Sequence, residues 1–127
     1  MLTTQQLLDL DPLCQHPKFG KLLKDAIEIW KVSDISPMPR HFGIDTKSNT
    51  YILDYLRQCC IIGACVVNKP SNISIFETIR NNYNIEGKEY DCIISGFENY
   101  THSTENKQAY EFGKNVRKAL FGAFGSA

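Results

Sequence analysis

The sequence predicts an all-α fold: a single compact domain of five to six helices around a central apolar helix at about residues 50–67. Apolar residues recur at helical spacing through most of the chain, and no pair of alternating runs flanks an Asn-Gly turn. One stretch, Cys59-Cys60-Ile61-Ile62-Gly63-Ala64-Cys65-Val66-Val67, holds nine residues without a charge or an amide side chain. A segment apolar on every side belongs in the interior, with amphipathic neighbours closing over it. The 127 residues, 43% apolar and 22% charged, fit one globular domain and argue against intrinsic disorder.

Taken in order, Thr4 is the expected N-cap of a short helix through Leu10, and Asp11-Pro12 restarts the chain as cap and first helical residue. From Pro17 to Val32, Phe19, Leu22, Leu23, Ala26, Ile27 and Trp30 form one continuous stripe. Lys18, Lys21, Lys24, Asp25, Glu28 and Lys31 fill the remainder as a solvated face, with Lys21/Asp25 and Lys24/Glu28 as helical neighbours. Residues 33–47 form a long irregular connection, because Pro37 and Pro39 each remove a donor and favour extended backbone.

The central helix is expected over Thr50–Val67, capped by Ser48 or Asn49 and stopped by Asn68-Lys69-Pro70. Its β-branched content leaves a strand as the alternative, since short apolar runs are ambiguous by periodicity. Ser74 with Glu77 has the capping-box form, opening a helix that buries Phe76, Ile79 and Tyr83 and ends in the Asn-rich 81–84 stretch. Lys88–Asn99 places Tyr90, Ile93, Ile94 and Phe97 on one stripe, with Gly96 inside. The last helix, about Glu105–Leu120, turns Ala109, Phe112, Gly113, Val116 and Leu120 inward and sets Lys114, Arg117 and Lys118 late, where they suit the helix dipole. Residues 121–127 are Gly-punctuated and expected to fray.

Fourteen basic residues balance fourteen acidic ones, which argues against duplex nucleic acid as a partner and against an electrostatic membrane anchor. The first residues lack a basic, apolar leader and the 59–67 run is about half the ~20 residues needed to span a bilayer, so a cytoplasmic protein is expected. The five cysteines, an odd count in no recognisable disulfide framework, fit a reducing compartment. Cys14/His16 is a loose pair without a second one, so no metal and no cofactor is expected.

Candidate chemistry is sparse. A cysteine nucleophile needs a base and some exposure, whereas Cys59, Cys60 and Cys65 sit in the apolar run and read as core. No two carboxylates visibly converge for acid–base work, and no catalytic residue is assigned. Two loops carry the aromatic, Arg and His groups that anchor interfaces, and Arg40, His41, Phe42, Tyr100 and His102 are the candidate partner-binding residues. Phe42 and Tyr100 read equally well as loop anchors turned inward.

The pieces Cys60-Ile61-Ile62-Gly63-Ala64, Gly96-Phe97-Glu98 and Gly113-Lys114-Asn115-Val116-Arg117 lie in a fixed order over residues 59–117. In this the chain resembles a diffuse group of small uncharacterised bacterial and phage proteins with a Cys-x-x-Gly-Ala helix, a Gly-Phe-acidic segment and a later Gly-x-x-Val-Arg helix. It departs from them at Ile61-Ile62, where the group commonly has Ala-Leu, and its first fifty residues have no counterpart. The resemblance implies a helical fold and a bacterial or phage setting, and no catalytic residue. The function expected is that of a non-enzymatic binding or regulatory protein, an accessory or inhibitor protein of a bacterium, phage or plasmid, acting on a protein partner or on itself. The alternatives are a small cysteine-dependent enzyme using Cys60 or Cys65 with His41 or His102, and a helical protein that sequesters a small ligand.

Overall fold

A computed structural model describes residues 2–32, 36–37, 44–45, 50–51, 58–59, 74–99 and 104–122. The fold is all-α. Five α-helices are described: α1 (Thr4–Leu10), α2 (Gly20–Val32), α3 (Ile75–Tyr83), α4 (Gly87–Glu98) and α5 (Lys107–Phe121), with a 3-10 helix at Asp11–Gln15 between the first two. The other paired backbone among the described residues is four two-residue segments: β1 (Ser36–Pro37), β2 (Ile44–Asp45), β3 (Thr50–Tyr51) and β4 (Gln58–Cys59).

These segments correct one expectation. Asp45 pairs with Thr50 and Ile44 with Tyr51 in antiparallel register, while Ser36 pairs with Gln58 and Pro37 with Cys59 in parallel. Thr50–Tyr51 and Gln58–Cys59 are therefore extended, and a helix does not run unbroken from Thr50 to Val67. The physical reason is that Thr50 and Tyr51 favour pleated backbone and find a partner strand just upstream, so pairing outweighs a helical preference that short apolar runs express only weakly. The rest of 50–67 lies outside the described residues.

The described core gathers on α2, α4 and α5. On α2 and the turn before it, Phe19, Leu22, Leu23, Ala26 and Trp30 are fully buried. Against them lie Cys92, Ile93 and Phe97 of α4 and Ala109, Phe112, Val116 and Leu120 of α5. The α4 and α5 backbones touch where they cross. A Cβ on Gly96 would collide with the Tyr110 carbonyl oxygen and stand 2.8 Å from the Lys114 nitrogen. A Cβ on Gly113 would collide with the Ile93 carbonyl oxygen and stand 2.9 Å from the Phe97 nitrogen. Each helix offers a glycine to the other's main chain, an approach only a residue without Cβ permits.

Polar side chains at the helix ends tie these elements together. Thr3, one residue before the expected cap, accepts the Gln6 N–H at 3.0 Å, and Gln6 Oε1 accepts the Thr3 N–H at 2.8 Å. The same Gln6 amide donates through Nε2 to the Leu120 carbonyl at 2.9 Å, so one side chain starts α1 and closes α5. Arg117 also acts across the fold. It is buried, and its Nη1 donates to the Phe97 carbonyl at 2.8 Å, serving the end of α4 where sequence placement suggested the end of its own helix. Helices α3 and α4 end on Asn84 and Asn99, both left-handed at φ 56° and 62°, a conformation Asn tolerates better than most residues.

Ser74 caps α3 as expected, accepting the Glu77 N–H at 3.2 Å. Phe76 departs from expectation. It is 51% exposed and rests on the Tyr90 ring, with centroids 4.8 Å apart, while Ile79 and Tyr83 are buried. Its place in the first turn of α3 lifts it off the core, and among the described residues it lies over Tyr90 and Gly87.

Glu89 joins α4 to the start of α2. Its Oε1 accepts the Glu86 N–H at 3.0 Å and its Oε2 pairs with Lys18 Nζ at 2.7 Å. Burial alone would raise the carboxyl pKa, but the Lys18 hydrogen bond, the Glu86 N–H and the Lys18 charge outweigh it and hold Glu89 below its usual range. A carboxylate whose folded pKa is depressed contributes stability above its unfolded value and loses it as pH falls through the folded one. Because Lys18 is 42% exposed, solvent screens the pair, and Glu89→Gln should cost about 1 kcal/mol at neutral pH. Urea midpoints at pH 7 and pH 3 check this: the difference between the two proteins should be present at the first and smaller at the second.

Candidate functional site

The candidate residues Arg40, His41, Phe42, Tyr100 and His102 lie outside the described residues, as do Cys60 and Cys65. Two flanking positions are described, Pro37, which is buried, and the left-handed Asn99.

Among the described residues, the concavity best placed for binding is a cleft of about 360 Å³ between α1 with the 3-10 helix on one side and α2 on the other. Leu7, Cys14 and Ile27 form its apolar lining; Lys24 and Lys31 bring positive charge, and Asp11, Asp25 and Glu28 negative charge. Residues 24, 27, 28 and 31 fall on one α2 face because their spacing follows the helical turn. The wall opposite is held close by Gly20, where a Cβ would collide with the Cys14 carbonyl oxygen. In size the cleft sits at the lower end of ligand pockets, roughly 300–1,000 Å³.

The Cys14 thiol in this cleft is set for contact more than for nucleophilic attack. Burial pushes the Cys14 thiol pKa up, and the Asp11 charge adds to this, while Lys24 opposes it. The thiol therefore stays protonated at neutral pH and is a poor nucleophile. Asp25 accepts the Tyr83 hydroxyl at 2.5 Å, which ties the rim to α3. One turn earlier, Lys21 donates to the Asn82 carbonyl at 3.2 Å and lies 5.7 Å from the Tyr83 ring centroid. The α2 charges thus do more than face water: Lys21 and Asp25 clamp α3, and Lys24, Glu28 and Lys31 line the cleft.

Sequence reasoning missed this site because its lining comes from three elements, and each charge taken alone reads as solvated surface. The available signal was Ile27, an apolar residue set among Lys24, Glu28 and Lys31 on one face. Among the described residues no group of three or more His, Cys, Asp or Glu side chains could hold a metal ion, and no helix is long and apolar enough to cross a membrane.

The chain matches no protein-family model, and no curated protein or solved structure is significantly similar to it. Its function has to be read from its own side chains.

Proposed function

We propose that the chain is a small non-enzymatic binding protein, an accessory or inhibitor protein of a bacterial, phage or plasmid system, acting in the cytoplasm through protein–protein contacts. The observation that carries this reading is the α1–α2 cleft, with an apolar floor of Leu7 and Ile27, a rim of both charge signs and a protonated Cys14 thiol. A desolvated apolar centre inside a polar rim is the usual anatomy of a contact surface. Leu8, 62% exposed on the same helix as Leu7, adds a second apolar contact point. In this proposal Arg40, His41, Phe42, Tyr100 and His102 form a further contact surface, because Arg and aromatic groups dominate interface energetics.

Light scattering after size exclusion, on the native protein alone and with any protein it captures, tests this against two variants. One is Ile27→Asp and the other replaces Arg40, Phe42 and Tyr100 by Ala. At least one should weaken association about tenfold or more, the effect of losing an interface anchor, with the far-ultraviolet circular dichroism unchanged. Association equal to native in both variants sinks the surface assignment. Rapid labelling of one native cysteine at neutral pH would favour the cysteine-dependent enzyme instead.

A further inference from the structure

His16 stands at the junction of the 3-10 helix and α2, the two elements whose separation sets the cleft. Its Nδ1 accepts two backbone N–H groups, Lys18 and Phe19, each at 3.1 Å. Its carbonyl accepts the Gly20 N–H at 3.0 Å, and Pro17, which has no N–H to satisfy, follows it directly. The side chain therefore does for α2 what Ser, Thr or Asn does at an ordinary N-cap. Its ring is stacked on Phe19, centroids 4.7 Å apart, and set edge-on to Phe112 of α5 at 5.3 Å. Phe19 and Phe112 meet at 5.3 Å, so three rings join the start of α2 to α5.

We propose that His16 is a proton-operated latch, which as neutral imidazole caps α2 and fastens it to α5, and as imidazolium releases the 16–19 turn. A nitrogen that accepts two hydrogen bonds carries no proton, so the resting ring is the Nε2–H tautomer. Protonation at Nδ1 turns the acceptor into a donor, orphans the Lys18 and Phe19 N–H groups together, and sets a cation at the positive end of a helix dipole. Attraction of the cation to the Phe19 face offsets part of this and restores neither hydrogen bond.

The described groups around His16 are few. From α2 and α5 it meets the uncharged Phe19 and Phe112; on its own turn lies Lys18, whose charge is matched by Glu89 of α4 at 2.7 Å. On the 3-10 side stand Asp11 and Cys14, and the Cys14 thiol stays protonated throughout. Glu89 stays ionised, since its carboxyl titrates below the usual range. Burial lowers the His16 pKa from its ordinary 6.5, so on acidification the unfolded chain takes this proton first. The latch's contribution is whole above pH 6.5 and is lost as pH falls through that value towards the folded one.

The latch needs no partner, so its test is independent of the binding proposal. Amide exchange protection, corrected for intrinsic rates, is measured at Lys18 and Phe19 at pH 7.5 and pH 5 in the native protein and in His16→Asn, whose amide oxygen can cap at both values. Native protection should fall about fivefold, the loss of one N-cap, while that of His16→Asn holds. An equal fall in both proteins, or none in the native one, overturns the latch. The imidazole nitrogen shifts of the native protein give a second reading that survives a misfolded variant: a His16 ring resting as the Nδ1–H tautomer, or titrating at or above 6.5, overturns it too.

Discussion

Replacing Gly96 or Gly113 by Ala is expected to be among the most damaging single-methyl changes in the chain. Each new Cβ would meet main-chain atoms of the facing helix, Tyr110 and Lys114 for Gly96 and Ile93 and Phe97 for Gly113. A side-chain neighbour can rotate away, but a helix backbone gives only by moving the whole helix. Overpacking costs about 1–3 kcal/mol where side chains can adjust, and these sites should lie at or beyond the upper end. Alanine's better helix propensity returns only about 1 kcal/mol. Against a stability of about 5–15 kcal/mol for a domain, either variant should show a clearly lowered urea midpoint, and the double variant should fail to fold cooperatively. Denaturation followed by circular dichroism reads this directly. A loss below about 0.5 kcal/mol in both single variants would mean that the helices do not cross where described. Arg117 adds a second consequence, since separating the helices would also pull its guanidinium from the Phe97 carbonyl.

What the sequence made legible follows how local each cause is. The α2 stripe was readable because helical spacing is an intrachain property, and Phe19, Leu22, Leu23, Ala26 and Trp30 are all buried. The inward face of α5 was readable for the same reason, Gly113 included. The extended pairs at Thr50–Tyr51 and Gln58–Cys59 were legible only as the strand alternative to the central helix, because strand pairing depends on a second segment that no window contains. Arg117 shows the same limit in a side chain: its position suits a helix end, but which helix it caps is decided by packing. His16 was missed because His is an unusual cap, although Pro17 after it marks a helix start. The cleft needed Asp11 and Cys14 brought beside Lys24 and Glu28, a juxtaposition made by the tertiary fold alone.

Trp30→Ala should cost about 3–5 kcal/mol, the usual range for removing a fully buried large aromatic side chain, and should leave the protein at the edge of folding. Trp30 is the chain's single tryptophan and lies nearly parallel to Phe97, centroids 6.4 Å apart and planes inclined by 13°. It is thus a main anchor of α2 on α4. Trp30→Phe keeps a ring in place and should lose less, about 1–2 kcal/mol, so it remains measurable if the Ala variant does not fold. Both need circular dichroism as the probe, because the substitution removes the fluorophore. Phe97 also supplies the backbone nitrogen that a Cβ at Gly113 would approach to 2.9 Å, so one residue takes part in both contacts. Trp30→Phe and Gly113→Ala should therefore not add: a helix pushed outward at Phe97 has already loosened the ring against which residue 30 packs. A double-mutant cycle should show a coupling of about 0.5 kcal/mol or more, with the combined loss smaller than the sum. Strict additivity would mean that α2 docks on α4 independently of the α4–α5 crossing, in contradiction to the shared role of Phe97.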